Sequence, residues 1–432
     1  METDIPHAAS EALTADFIGV GYHAMFTVAD RFATDEHERV LHDRWAECRP
    51  AFCRATHRLD WDEAYAVRQL ERMRQTGTQV YLTTMKPEAH RDVDGMADYA
   101  ERVADHLEHL VRGCGLTNIR WYCVTNELSA PDVGWGGMYP ESLFRFREYH
   151  RALHAAFGRR DLPVGLLETD ASPIQRWDSI GWARRNMSEI TAAYGGHHYI
   201  NAYIPGDLDF YRWFREEVAR WVDAAREPGK PFIVGEFGPK QHAAPRYGYD
   251  LWDGCAYFNT AAEPLAAVQT AEAVIAAVNA GVHAIGYWTF ADVPHGDPPP
   301  RRANRWGTVV WDDEARFPRR QVYFVMGLLA RFFAGPGTVL RSPDAPPGVR
   351  WATLRNDAGT HTAVVNWNRE PIALQPRIRG RLHLYEARYP EHYRPSAGLL
   401  EATDRGPVAP DAAVQIPPQS FGLITGQAAG GS

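Results

Sequence analysis

Eight short apolar runs recur along the first two thirds of the chain, and nearly every one ends on a polar residue. They cover residues 17–26, 51–57, 79–85, 119–127, 162–168, 195–200, 231–237 and 284–290. A strand that is apolar along most of its length is buried on both faces, as happens in a parallel sheet covered by helices. Parallel neighbours need crossovers, and amphipathic stretches fill the gaps. One begins at Trp61 in WDEAYAVRQLERMRQT, where Asp60 can cap. Others run over about 95–112, 141–157, 208–226 and 263–280, and 319–333 closes the set. The pattern predicts an α/β fold in which residues 1–337 form a closed (β/α)8 TIM barrel.

Past Phe333 the punctuation changes. AGPG and SPDAPPG break the chain, and VRWATLRN, TAVVNWN, RLHLYEA and SFGLITG alternate as antiparallel strands do. Residues 338–426 are therefore expected to form a small C-terminal antiparallel β-sandwich, and 427–432, QAAGGS, a disordered tail.

Charge narrows the partners. With 46 Lys and Arg against 54 Asp and Glu, scattered and summing to -8, nothing favours a polyanion, so no nucleic-acid partner is expected. No run of about 18 apolar residues exists, and METDIPHAAS lacks the basic-then-apolar order of a secretory leader. No membrane partner and a cytoplasmic location are the corresponding expectations. Cys48, Cys53, Cys114, Cys123 and Cys255 are odd in number and contain no CxxC pair, which implies buried reduced thiols rather than disulfides or a zinc knuckle. Aromatic residues make up 12% of the chain, several in loops (Trp135, Tyr139, Trp306, Trp311), where ring faces can stack on the CH faces of sugars.

Two acidic residues carry the chemistry. Glu127 follows Asn126 in RWYCVTNEL, and Glu236 lies in KPFIVGEFG. Each closes an apolar run, a costly place for a carboxylate unless the strand opens into a polar mouth. Strands four and seven then bring both to the C-terminal face of the barrel, where active sites of this fold sit. Two facing carboxylates are what glycoside cleavage requires, one to protonate the leaving oxygen and one to attack the anomeric carbon.

On these residues the chain resembles clan A of the glycoside hydrolases, which includes family five cellulases and mannanases and family thirty-nine xylosidases. The resemblance covers roughly residues 15–335. It implies Glu127 as acid/base and Glu236 as nucleophile of a retaining β-glycosidase with no cofactor and no metal. It also implies Arg54, in AFCRATH, as the cation that keeps the nucleophile ionised, and Asn126 as the ligand of the sugar 2-hydroxyl. In GGHHYI, His197 and Tyr199 match a His-x-Tyr whose phenol bonds the nucleophile, with His198 turned outward. Trp288 in IGYWTF matches the aromatic floor of the sugar subsite. His23 and Lys86, and at lower rank Glu168, are further candidates for the sugar pocket. Leu128 departs from the Pro that often follows the acid/base in family five. RANRWGTVVW after strand eight reads as a substrate-lining loop, with Trp306 and Trp311 flanking a Gly turn.

The competing readings are thinner. A metal-dependent hydrolase wants several convergent His and Asp ligands, and a Schiff-base lyase wants a strand lysine, for which only Lys86 offers itself. A non-catalytic sugar-binding barrel, or an endo-acting polysaccharide hydrolase, remains open beside the expected substrate, an oligosaccharide or small glycoside. The sequence is silent on oligomeric state.

Overall fold

The structure, a computed structural model, describes residues 2–4, 11–24, 32–84, 95–128, 140–167, 178–200, 206–239, 263–295, 302–304, 306–312, 314–342 and 345–427. Lys86, Trp135, Tyr139, Glu168, Cys255 and the tail from 428 lie outside the described residues.

After β1 (Glu2–Asp4), eight strands alternate with eight helices: β2 (Ala12–Ala24), α1 (Asp35–Cys48), β3 (Phe52–Thr56), α2 (Glu63–Gln75), β4 (Gln79–Thr83), α3 (Met96–Glu108), β5 (Ile119–Cys123), α4 (Pro140–Arg159), β6 (Gly165–Leu167), α5 (Asp178–Met187), β7 (Tyr194–Tyr199), α6 (Phe210–Ala225), β8 (Phe232–Gly238), α7 (Pro264–Asn279), β9 (Ala284–Tyr287) and, further on, α8 (Gln321–Phe332). The strands pair in parallel in the order β7-β8-β9-β2-β3-β4-β5-β6. One further parallel bridge joins Leu167 to Ala193, between the two ends of that path. The fold is thus mixed α/β around a central parallel sheet, as the alternation predicts.

Boundaries moved where local chemistry outweighed hydrophobicity. Asp62, not Asp60, caps α2, accepting from Tyr65 N at 2.9 Å, because Asp60 is taken by the Arg58 guanidinium. Helices α1 and α5 escape the hydrophobic pattern. The mean hydropathy of α1 is low, and Thr34 with His37 supplies its start through a capping box.

After the short antiparallel pair β10 (Val293–His295) and β11 (Arg302–Asn304), residues beyond α8 form antiparallel strands β12 (Ala334–Leu340), β13 (Val349–Asn356), β14 (Gly359–Asn366), β15 (Ile372–Gln375), β16 (Gly380–Glu386), β17 (Asp404–Val408), β18 (Val414–Ile416) and β19 (Ser420–Gly426). Two sheets result, β12-β13-β14-β19-β16-β17 and β1-β15-β18, and they share one apolar cluster that includes Trp351, Val364, Ile424, Leu374 and Ile416. The N-terminal β1 pairs with β15, so this C-terminal region also takes up residues 2–4. Strand β12 pairs antiparallel with the start of β2, stitching the two regions through one sheet. Helix α7 is buried almost all round, and its composition is correspondingly apolar: it packs between helices α6 and α8 and against strands β13, β14 and β19.

Candidate active site

The site lies at the C-terminal ends of the parallel strands. Arg54 stands in the middle of β3, beside His23 of β2 in register, and is 1% exposed. Its Nη1 donates to Glu236 Oε1 at 2.5 Å, its Nη2 donates to Asn126 Oδ1, and its guanidinium lies 5.5 Å from the Tyr81 ring centroid. On β7 the side chains alternate as expected. His197 and Tyr199 face the site and pair with β8, His197 opposite Glu236 and Tyr199 opposite Gly238. His198 turns into the helix layer among Trp213, Phe214 and Trp221, where burial pushes its pKa down to about 3.

Glu236 is 4% exposed, and each of its oxygens accepts a hydrogen bond: Oε1 from Arg54, Oε2 from the Tyr199 hydroxyl. That satisfies the carboxylate as an anion without water. Burial, together with the charges of Glu236 and Glu127, holds the Tyr199 phenol well above its ordinary pKa, so it remains a neutral donor.

Glu127 is not part of a strand. β5 ends at Cys123, and Glu127 follows in the left-handed region at φ 45°, a conformation that costs a non-glycine residue and turns the side chain back over the strand ends. Its Oε1 lies 2.8 Å from His197 Nδ1, which is also 3.6 Å from Glu236 Oε2. Donor atoms of Glu127, His197 and Glu236 stand within 4.8 Å of one another. The same spacing could hold a divalent cation, but both Glu236 oxygens are engaged by Arg54 and Tyr199, and the guanidinium already places a positive charge there.

Trp288, just past β9, packs on His23 with ring centroids 4.4 Å apart, and Trp306 approaches it at 6.0 Å. Asp292 anchors the following segment: Arg320 binds both its oxygens at 2.6 and 2.8 Å, and it accepts from the backbone N–H of Gly307 and Trp311. Trp311 does not line this mouth. It stacks on His37 at 4.9 Å and meets Phe317 edge-on, a packing role set by the buried turn that Asp292 pins. Lys86 and Glu168 lie outside the described residues.

Sequence reasoning passed over Tyr81 and Thr83. Thr83 Oγ1 accepts from Arg54 Nη2 at 3.5 Å, and Tyr81 packs against the same guanidinium. Both belong to one face of β4, and that period-2 spacing was the available signal.

No protein-family model and no curated protein matches the sequence. Solved structures do match its fold. A glycoside hydrolase family 30 subfamily 8 xylanase from Clostridium acetobutylicum aligns with TM-score 0.65 at 12% identity, over 96% of this chain and 98% of that one. A family 39 β-xylosidase from Caulobacter crescentus aligns with TM-score 0.64 at 15% identity, over 98% and 99%. The family 39 enzyme from Xanthomonas axonopodis pv. citri gives 0.64 at 12% identity, over 98% and 97%. The structural neighbours are thus family 30 and family 39 glycoside hydrolases, and they share the two-region fold end to end.

Proposed function

We propose that the protein is a retaining β-glycosidase acting on short β-xylosides or closely related glycosides. The carrying observation is the approach of a Glu127 and a Glu236 carboxylate oxygen to within 4.8 Å of each other. Retaining enzymes hold their carboxyl groups about 5–5.5 Å apart, whereas inverting ones leave room for water at about 6.5–9.5 Å. The lone bridge between Leu167 and Ala193 supports a parallel sheet that closes into a (β/α)8 barrel, with both carboxylates at its mouth.

Catalysis proceeds in two displacements. Glu236 attacks the anomeric carbon as Glu127 delivers its proton to the departing oxygen, leaving a glycosyl ester on Glu236 and an alcohol. Water then attacks the same carbon, Glu127 takes up the water proton, and the ester oxygen leaves as carboxylate. Arg54 and Tyr199 hold Glu236 in place through both steps. His197, within hydrogen-bond distance of Glu127, orients the acid/base and is positioned to share its proton. Asn126, fixed by Arg54, meets the sugar 2-hydroxyl, while Trp288 supplies the stacking face.

The choice of xylose follows the substrates that the structural neighbours are named for. A panel of aryl β-glycosides tests it: wild type releases the aryl alcohol fastest from the xyloside and Glu236→Ala releases none above background. A Glu236→Ala protein of undiminished activity overturns the mechanism. A different sugar preferred at least tenfold overturns only the specificity.

A further inference from the structure

On the outside of the parallel sheet, four metal-ligating side chains meet where the first turn of α2 faces the end of α3. His106 lies in the last turn of α3, and a π-helical turn, His109–Gly113, follows and is closed by the Cys114 N–H donating to His109 O at 2.9 Å. Such widened turns are rare and concentrate at functional sites. Glu63 opens α2 and reaches across. Its Oε1 lies 2.9 Å from His109 Nε2 and its Oε2 lies 3.9 Å from His106 Nε2, while Cys114 Sγ lies 3.4 Å from His109 Nε2.

We infer that Glu63, His106, His109 and Cys114 form a binding site for a divalent transition-metal ion of the zinc type. A tetrahedral zinc with bonds of about 2.0–2.1 Å to N or O and about 2.3 Å to S separates its ligand atoms by about 3.3–3.6 Å. The three contacts, at 2.9, 3.4 and 3.9 Å, bracket that range. Imidazole, thiolate and carboxylate together suit zinc, cobalt and their neighbours over magnesium or calcium, which prefer oxygen alone.

The surroundings support the assignment. His106 Nδ1 lies 3.2 Å from His57 Nε2, and His57 Nδ1 lies 3.4 Å from the Tyr122 hydroxyl, which in turn meets Tyr99. A ligating histidine is oriented in just this way, by a hydrogen bond on its other nitrogen. With His106 donating from Nδ1, its Nε2 presents a bare lone pair towards Glu63. That atom is buried and has no hydrogen-bond partner. Gly113 leaves room for the His109 ring: a Cβ there would stand 2.9 Å from His109 Nδ1.

Among the described residues no three of these four donors yet stand within 4.8 Å of one another. Metal entry therefore draws Glu63 and His109 inward, and both are about half exposed, with room to turn. Binding also releases the Cys114 thiol proton to solvent.

Cobalt titration of the full chain tests the site. One equivalent of Co²⁺ is expected to produce a near-ultraviolet sulfur-to-cobalt charge-transfer band, which stoichiometric Zn²⁺ then bleaches. Cys114→Ser abolishes the band, and His106→Ala and His109→Ala each weaken binding at least tenfold. Glu236→Gln leaves the band unchanged, which separates this site from the catalytic cluster. No band in wild type, or a band that persists in Cys114→Ser, overturns the proposal. Because the readout is spectroscopic, it holds or fails independently of glycosidase activity.

Discussion

Replacing Arg54 by Met removes the cation beside Glu236 and leaves a buried carboxylate with the Tyr199 hydroxyl as its hydrogen-bond donor. The two side chains are 1% and 5% exposed and their charged atoms are 2.5 Å apart. At an effective dielectric of about 20 the direct attraction at that distance is about 7 kcal/mol. Desolvation of both groups offsets part of it, and removing one partner of such a buried pair costs about 3–5 kcal/mol. With an unfolding entropy of about 2.1 cal/mol/K per residue over 432 residues, that loss corresponds to a drop in Tm of about 3–6 °C. Glu236→Gln, which strands the guanidinium instead, should cost a similar amount. The double variant should then lose clearly less than the sum, because no unpaired charge remains, with a coupling energy of at least about 2 kcal/mol. Thermal unfolding followed by circular dichroism on all four proteins measures the cycle. Strictly additive losses, or single variants within 1 °C of wild type, would refute the claim that this pair is what holds the nucleophile.

Tyr199→Phe removes the hydroxyl that donates to Glu236 Oε2. A hydrogen bond to a charged group contributes about 1.5–3 kcal/mol, so kcat/KM should fall about 10- to 150-fold, and Tm by no more than about 2–3 °C on the same entropy scale. Glu272, buried in α7, accepts from Trp367 Nε1 at 2.8 Å and stands 3.4 Å from Arg350 Nε, yet burial outweighs the cation and raises its pKa to about 7. Since the folded value exceeds the ordinary 4.5, the native state binds this proton more tightly than the unfolded chain. The stabilisation is therefore full below about 4.5 and is lost as pH rises through about 7. Tm against pH should fall across that window in wild type and flatten in Glu272→Gln; equal slopes in the two would contradict the assignment. Gly21→Ala places a Cβ 1.8 Å from the Phe52 carbonyl oxygen, between β2 and β3 just below His23 and Arg54. Relief has to come from backbone movement, so a stability loss of about 1–3 kcal/mol or more is expected by thermal melt.

Much of the fold was readable because strand and crossover helix differ in period and because burial on both faces leaves an unmistakable apolar run. Strands β13 and β19 coincide to the residue with the segments VRWATLRN and SFGLITG. What escaped was set by contacts distant in sequence. The short β15, β17 and β18 carry too few residues to show a period, and β1 is a strand only because β15 offers it an edge. Within the site, Glu236 could be named from its strand end, and Arg54, Asn126, His197 and Tyr199 from the resemblance to clan A glycoside hydrolases; the fold brings them together. The left-handed turn at Glu127 has no sequence mark, because nothing in VTNEL calls for positive φ. Trp311 was misread for the same kind of reason: a Trp beside a Gly turn looks alike whether Asp292 pins the turn inward or leaves it at the mouth.

The central claim is that Glu236 becomes covalently glycosylated, and trapping measures it directly. Incubation with an activated 2-fluoro-β-xyloside, whose fluorine slows the second displacement, should add the mass of one fluorosugar per chain. Peptide mapping should place it on the segment KPFIVGEFG, with no label on Glu236→Gln. A stoichiometric label on any other residue, or turnover of β-xylosides with inverted anomeric configuration in the first-formed sugar, would contradict the account.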